Sequence, residues 1–353
     1  MIDKLKLIDF TMFKALEIDF SSKINVVIGE NATGKTHLLK VAYALCSAGN
    51  ALKSKPEPDD SDLIDVLSEK LVNVFRPIDN KLGKLRSRGP SGDSSFSAKF
   101  IDKQISASFH TNSTVVKDII SKDYENYGWE PVFIPTKEAL SFMEGFVSLY
   151  NKYRLSFDQT YYDICSLLDL PVIHTDQLDE KSTWAMGEIE KTIGGKFIFH
   201  GGGRVTFRVG KNELSANDAA EGFRKAGILY RLLEVGALRP GVSGTLFWDE
   251  PESNLNPKLI KLLVGILLEL SRRGQQIILA THDYVLLKWF DLLMDKNKDD
   301  HIRFHALYYD EKSGEVKLQS TDDYLQITPN AIDEVYAELI DEDIDRSMGG
   351  LGK

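Results

Sequence analysis

Gly29-Glu30-Asn31-Ala32-Thr33-Gly34-Lys35-Thr36 fits the pattern G-x-x-x-x-G-K-[ST] without a mismatch. It directly follows the apolar run Ile24-Asn25-Val26-Val27-Ile28 and opens a helix-compatible run from Thr36 to Ala48, which is the strand–loop–helix context the motif requires. Glycines let the backbone approach phosphate oxygens, and the loop N–H groups and helix N-terminus face their negative charge. Lys35 then reaches the β and γ phosphates and Thr36 is a ligand for Mg²⁺. Candidate nucleotide-binding residues are Gly29, Glu30, Asn31, Ala32, Thr33, Gly34, Lys35, Thr36 and the adjoining His37. A glycine-rich turn with a surface lysine is the plainer alternative, and the flanking strand and helix argue against it.

A second stretch completes such a site. Thr245-Leu246-Phe247-Trp248-Asp249-Glu250 is an apolar strand ending in two acids. Delivered beside a phosphate loop, Asp249 is the carboxylate partner of Mg²⁺ and Glu250 the base that polarises an attacking water. Without the loop, the pair would be an ordinary solvated turn. Ile277-Ile278-Leu279-Ala280 is a further buried strand, followed by Thr281-His282-Asp283. A histidine at the carboxyl end of a parallel strand sits where such sheets bind ligands, so His282 is a candidate contact to the γ-phosphate or the water. Taken alone it would read as a structural histidine.

Working outward, Leu5–Phe10 and Leu16–Phe20 alternate apolar and polar residues and read as strands, with the continuously apolar Ile24–Ile28 as a central one. Lys53–Asp62 reads as an exposed loop, 63–80 as a helix and Arg86–Ser95 as a loop. Ser97–Ile101 and Ile105–Phe109 form a hairpin, and Pro131–Pro135 a buried strand. Lys137 to Lys191 is mostly helical and aromatic-rich, broken near Pro171 and Thr175. Lys196–Phe199 and Arg204–Val209 enclose His200-Gly201-Gly202-Gly203 as a second hairpin. A helix from Ala219 to Ala237 then leads to strand, loop, helix and strand, the alternation of a parallel sheet with crossovers. The roughly seventy residues after His282 hold two strands and a helix. No repeat period and no heptad run long enough for a coiled-coil arm is present.

The 353 residues suit one large domain or a core with one insertion lobe. With 43 Lys plus Arg against 53 Asp plus Glu, the formal charge is −10, an argument against nonspecific nucleic-acid binding as the main task that leaves a local basic groove open. The 42% of apolar residues excludes general disorder, and the longest apolar stretch, Leu259–Leu270, is interrupted by Lys261 and Glu269 and too short to cross a bilayer. The N-terminus has no secretory pattern, so a cytoplasmic protein without membrane association is expected. Cys46 and Cys165 lack metal or disulfide spacing and read as buried thiols.

Asp249 lies more than two hundred residues downstream of Lys35. With this spacing the chain resembles the ABC-class ATPases, and within them the compact relatives of SMC proteins, RecF and the ATPase part of OLD-family nucleases. The matching segments are Gly29–Thr36, Phe247-Trp248-Asp249-Glu250-Pro251-Glu252, Asn254-Leu255-Asn256-Pro257 and Leu279-Ala280-Thr281-His282-Asp283, with Leu7–Phe10 and Leu16–Phe20 as the opening. The resemblance implies an α/β P-loop NTPase of ABC-ATPase type: a mostly parallel core sheet, an antiparallel β lobe and an inserted helical lobe. The corresponding division is 1–136 and 196–285 for the two parts of the ATPase core, 137–195 for the helical insertion and 286–353 for C-terminal strands and an acidic helix.

The resemblance also implies ATP and Mg²⁺ as ligands and a homodimer in which each head offers its P-loop face to the other's signature segment. That segment is Leu214–Gly222 here. Ala220 stands where the usual serine would, Glu221 where a small residue would, and Gly222 keeps the backbone N–H that faces a γ-phosphate across the dimer. Asn256 stands in the D-loop, placed to reach across the interface or to be a solvated turn. No Q-loop glutamine is evident; Ile134-Pro135-Thr136-Lys137-Glu138 occupies that region, where Lys137 and Glu138 are either site residues or a plain strand-to-helix cap. Thr11 replaces a basic residue common in relatives, with Lys14 the nearest substitute.

Other motifs read plainly. His301 and His305 fall on one face of a half-exposed strand without metal-ligand company. The acidic helix from Asn330 to Arg346 is a solvated face or a dock for a basic partner. The Lys84–Gly89 loop, with Arg86 and Arg88, is the best local basic patch and lacks interleaved aromatics. The function expected is a slow Mg·ATP-hydrolysing ATPase that dimerises around ATP to regulate a separate effector protein, resembling the ATPase subunits of bacterial anti-phage systems of the Septu and PARIS types. A RecF-like clamp gripping DNA and a nucleotide-gated scaffold with negligible turnover are the rivals.

Overall fold

Residues 1–53, 55, 57–124, 129–153, 155–174, 178–239 and 243–348 are described by the structure, a computed structural model. Six strands make the central sheet. In spatial order they are β14 (Glu315–Thr321), β13 (Ile302–Asp310), β3 (Ile24–Gly29), β12 (Ile277–Thr281), β11 (Leu246–Asp249) and β7 (Val132–Ile134). All are parallel except β14, which pairs antiparallel with β13 at the edge. β3, β12, β11 and β7 are buried on both faces because they are apolar at nearly every position, whereas the edge strand β14 stays partly exposed. Ile24, Val26 and Ile28 of β3, with Leu246, Trp248, Ile277 and Leu279, enter one core. The alternate residues Val27, Phe247, Ile278 and Ala280 enter the other.

The second face is covered by α1 (Lys35–Leu52), α2 (Asp60–Phe75) and a five-stranded antiparallel sheet. That sheet has the order β2 (Phe13–Asp19), β1 (Lys4–Phe10), β4 (Asp93–Phe100), β5 (Lys103–His110) and β6 (Lys117–Lys122). The first face is covered by helices α3 (Phe146–Lys152), α4 (Gln159–Leu168), α5 (Glu180–Ile193), α6 (Glu221–Glu234), α7 (Pro257–Arg272) and α8 (Tyr284–Leu293). A three-stranded sheet, β8 (Lys196–Phe199), β9 (Val205–Val209) and β10 (Asn212–Ser215), leads into α6. The inserted helices share the sheet's core: Ile164, Cys165 and Leu168 of α4 and Ile189 of α5 belong to the same buried cluster as Trp248. Polar bonds also bind α4 to α1 and α2, with Lys40 Nζ 2.7 Å from Asp158, Lys70 Nζ 2.8 Å from Asp163, and the Tyr43 hydroxyl donating to Asp163 at 2.6 Å.

Several boundaries differ from the expectation. The helix expected over 63–80 runs from Asp60 to Phe75, because Asp59 caps it with Asp62 in a reciprocal capping box and Arg76 and Pro77 end it. Edge strands β6 and β10 and helix α8 were not anticipated. β13 is a buried strand rather than a half-exposed one: His305 lies between Ser320 Oγ at 2.8 Å and Asn25 Oδ1 at 3.2 Å, and burial pushes its pKa down to about 3. Thr175, where a break is expected, lies outside the described residues. Cys46 and Cys165 are buried thiols, as expected. Among the described residues no helix is long and apolar enough to cross a membrane.

Candidate nucleotide-binding site

The site forms where β3, β12, β11 and β7 end, at the carboxyl edge of the parallel sheet. Two glycines shape the loop after β3. Gly29 has φ +150°, and a Cβ there would lie 2.3 Å from the Leu307 carbonyl oxygen. Gly34 has φ +98° and starts α1; a Cβ there would lie 2.4 Å from Met12 Sδ. Neither position accepts a side chain, so the pattern's two fixed glycines follow from sterics. Thr33 Oγ1 donates to the Glu30 carbonyl at 2.8 Å, and Tyr309 donates from β13 to the Ala32 carbonyl at 2.7 Å. Glu30 and Asn31 are exposed at the mouth. The His37 ring packs edge-on against Phe75 at 5.6 Å.

Lys35 folds over this loop. Its Nζ donates to the Gly29 carbonyl at 2.7 Å and to the Glu30 carbonyl at 3.0 Å. Burial pushes its pKa down, opposed by the nearby Glu250, Asp249 and Glu252 carboxylates. An anionic ligand in the loop supplies the charge this ammonium lacks.

Asp249, at the end of β11, is buried and accepts hydrogen bonds on Oδ2 from Thr36 Oγ1 and Thr136 Oγ1, each at 2.9 Å. Burial pushes its pKa up, and the two hydroxyls pull it back. One carboxylate and two hydroxyls converging from β11, α1 and the end of β7 form a hard oxygen set. Mg²⁺ suits such a set because it takes few protein ligands and completes its shell with phosphates and water. Among the described residues no group of three or more His, Cys, Asp or Glu side chains forms a metal cage. Replacing Thr136 by valine removes one hydroxyl at constant shape. Its expected effect is an about tenfold higher Mg²⁺ concentration for half-maximal nucleotide binding, read by Mg²⁺ titration.

Glu250 follows in a left-handed backbone position, φ +49°, with its N–H on the Ala280 carbonyl at 2.9 Å. His282 Nδ1 lies 3.2 Å from Glu250 Oε1 and 3.9 Å from Glu252 Oε1. The expected acid and histidine are thus brought together. Glu252 is buried and accepts from Thr281 Oγ1 at 2.7 Å and from the His282 N–H at 3.4 Å, and its Oε2 has no hydrogen-bond partner among the described residues. Beneath the turn, Lys225 of α6 is 1% exposed and donates from Nζ to the Glu250 carbonyl at 2.6 Å and to Ser253 Oγ. Burial brings its pKa down to about 8, against the pull of Glu252, Glu250, Glu221 and Asp249.

The signature-like segment takes a defined place. Ala220 is the N-cap of α6 and offers no side-chain cap, and Gly222 is buried where a Cβ would lie 2.5 Å from the Asn254 carbonyl oxygen. Gly222 therefore lets the start of α6 pack on the 254–255 turn. Asn254 Nδ2 donates to Glu221 Oε1 at 2.8 Å across the same contact. Asn256 Oδ1 caps α7 through the Leu259 N–H at 2.9 Å, so its side chain is engaged within the chain. Glu138 is buried and accepts from Arg224 Nε at 2.8 Å, which ties α6 to the segment after β7; Lys137 is exposed.

Thr136, Lys225, Tyr309 and Glu252 were not singled out from the sequence as site residues. Thr136 lay within the Q-loop region already marked, and Lys225 three residues beyond Gly222. Glu252 lay within the matching segment Phe247–Glu252 with no role given to it, and Tyr309 carried no local signal, because its role depends on a contact made across the fold. Arg86, the centre of the candidate basic patch, is bonded to Asp9 at 3.1 Å, and Lys14 to Asp9 at 3.0 Å.

A family model described as "AAA domain, putative AbiEii toxin, Type IV TA system" matches residues 203–288. The DNA replication and repair protein RecF of Oenococcus oeni is 41% identical over 83 residues, 24% of this chain and 21% of that protein. RecF of Clostridium kluyveri is 44% identical over 83 residues, 23% of this chain and 22% of that protein. The chain thus spans about a fifth of the length of these curated relatives. Among solved structures, an SMC head bound to the C-winged helix domain of ScpA aligns with TM-score 0.55 at 11% identity, over 91% of this chain and 97% of that one. An SMC head with an extended coiled coil from Pyrococcus furiosus, bound to the C-terminal domain of ScpA, aligns with TM-score 0.52 at 11% identity, over 97% and 99%. The chain is thus similar to RecF over the matched segment and has the fold of SMC heads, a P-loop NTPase fold of the ABC-ATPase type.

Proposed function

We propose that the protein binds and hydrolyses Mg·ATP, that two copies close around the nucleotide, and that this cycle controls a separate partner protein. The observation that carries the reading is the convergence of Thr36, Thr136 and Asp249 beside Lys35, with Glu250 and His282 on the next turn. Thr36 and Asp249 would hold Mg²⁺, which neutralises charge on the β and γ phosphates when bound. Lys35 turns from the loop carbonyls to the phosphates. A water's oxygen bonds to the γ-phosphorus as the bond to the bridging oxygen breaks, Glu250 takes the water's proton, and His282 holds Glu250 and the water in line. ADP and phosphate leave.

Closure of a pair would bring the Gly222 N–H at the start of α6 to the other copy's γ-phosphate, as helix N-termini receive anions. Ala220 offers no hydroxyl there, which supports slow turnover. The description of the matched family as a putative toxin of a toxin–antitoxin system supports a partner within such a pair. The test is mass by light scattering with and without Mg·ATP. A doubling with ATP that Lys35→Ala abolishes is expected; an unchanged mass overturns nucleotide-driven closure.

The RecF matches favour a second reading, in which the ATP-bound pair grips DNA. It requires DNA binding that appears only with ATP and falls steeply with salt. The pairing of Arg86 with Asp9 and the charge of −10 weigh on the side of a protein partner.

A further inference from the structure

Ala32, at the crest of the phosphate loop, is an alanine in left-handed backbone, φ +66°. A Cβ makes that conformation costly, and a non-glycine residue keeps it only where its surroundings hold it there. Within the loop, the Thr33 N–H and Thr33 Oγ1 both donate to the Glu30 carbonyl, at 3.4 and 2.8 Å, which closes a turn around Asn31 and Ala32. From outside the loop, the Tyr309 hydroxyl donates to the Ala32 carbonyl at 2.7 Å. Left-handed backbone at one residue of such a turn brings successive N–H groups to bear on one point, the nest that receives an anion. If Ala32 relaxed to right-handed or extended backbone, the peptide plane after it would rotate and that convergence would be lost.

Strand β13 is built to present this hydroxyl. It pairs in parallel with β3 as far as Leu307 beside Gly29, the first residue of the loop, and then continues through Tyr308, Tyr309 and Asp310. Antiparallel pairing with β14 extends along that overhang, with Tyr309 opposite Val316 and Asp310 opposite Glu315, so the overhang is braced. The Leu307 carbonyl oxygen already lies 2.3 Å from where a Cβ on Gly29 would stand. One strand therefore meets the loop both at its start and at its crest. The Tyr309 side chain is at the surface, as Asn31 and Ala32 are, so what it brings to the loop is the hydroxyl rather than buried packing.

We infer that Tyr309 is a positioning residue for the nucleotide: its hydroxyl holds Ala32 in left-handed backbone and so keeps the loop N–H groups aimed at the phosphates before the nucleotide arrives. The inference rests on the nucleotide-binding reading proposed above. Its consequence is read in affinity, because a loop that is only partly in the competent conformation binds with a dissociation constant raised by the inverse of that fraction. Without the hydroxyl, alanine leaves left-handed backbone most of the time, whereas glycine populates it about as readily as right-handed backbone. The tether thus matters much with alanine at position 32 and little with glycine there.

The test is a double-mutant cycle in the full chain, with dissociation constants for Mg·ATP read by isothermal titration calorimetry. Tyr309→Phe removes the hydroxyl and keeps the ring, and it is expected to raise the constant about fivefold. Made in a protein that carries Ala32→Gly, the same change is expected to raise it about twofold or less. An equal loss in both backgrounds overturns the inference, since a tyrosine that touched the nucleotide itself or merely supported β13 would act whatever stands at position 32. Binding indifferent to Tyr309→Phe in the native background also overturns it and leaves the nucleotide-binding reading standing. A native protein that binds no Mg·ATP, and is no different from Lys35→Ala, overturns both.

Discussion

Glu250→Gln is expected to lower ATP turnover about 10²–10⁴-fold while leaving nucleotide binding intact. Glutamine keeps the size of the side chain and a carbonyl oxygen for the His282 Nδ1 contact, 3.2 Å away in the native protein, but cannot take a proton from water. The backbone at Glu250 is left-handed, a position that costs a non-glycine residue about 1–2 kcal/mol. The Ala280 carbonyl and the Lys225 ammonium hold it there, and both contacts are to the main chain, so they survive the substitution. ATP should therefore enter, the pair should close, and the closed state should persist. Single-turnover kinetics and mass in Mg·ATP read the two consequences together. Turnover equal to the native protein's would remove Glu250 from the chemistry. Negligible turnover in the native protein, with ATP-driven closure unaffected by the substitution, would make the nucleotide an assembly signal, for which the missing hydroxyl at Ala220 already argues.

The legible parts of this molecule are those where a local pattern and its burial agree. β3, β11 and β12 are apolar at successive residues and lie inside a sheet covered on both faces, so composition alone assigns them. Gly29 and Gly34 are fixed by backbone angles and close contacts that a motif records. Edge strands lack such agreement. All four residues of β10 are exposed, and it is a strand only because β9 pairs with it. β6 alternates between exposed and half-buried residues, with Lys117, Asp118 and Lys122 among six. Pairing, which sequence propensity measures poorly, decides both. The end of α2 was missed although Pro77, whose ring disfavours helical backbone at the preceding residue, marks it in the sequence. α8 was harder, because a ten-residue run with only Lys288 and Asp291 charged has no clear polar face.

The same contrast runs through the site. Lys35, Thr36, Asp249 and Glu250 sit in motifs, whereas the residues that hold them come from elsewhere in the chain: Thr136 from the end of β7, Tyr309 from β13 and Lys225 from α6. A supporting residue needs only a donor at the right end of a side chain, so many residue types and positions serve. The three-dimensional arrangement is what singles these out.

Lys225 carries the second large effect. Its ammonium is the cross-piece between α6, whose first turn would meet the other copy's nucleotide in the proposed closed pair, and the Glu250 turn, where the water's proton would be taken. Lys225→Met keeps most of the buried stem and removes the donor, leaving the Glu250 carbonyl and Ser253 to repack. Turnover is expected to fall about 10²-fold, the scale of a misplaced catalytic group, with ATP affinity close to native because Lys225 does not touch the phosphate loop. The pH dependence separates this role from simple packing. With a pKa of about 8, native Lys225 loses its proton in the alkaline range and its bond to the Glu250 carbonyl weakens, so native turnover should decline above about pH 8 while that of the Lys225→Met protein stays flat there. Stability moves the opposite way. The folded value lies below the ordinary lysine 10.5, so between about pH 8 and 10.5 the unfolded chain holds a proton that the folded chain has released, and raising the pH through that window favours the native fold. Denaturant unfolding of native and Lys225→Met protein across the window should show their difference shifting in favour of the native lysine. A constant difference, or an alkaline decline in turnover that persists in the variant, would place the ammonium outside the coupling between the α6 N-terminus and the catalytic turn.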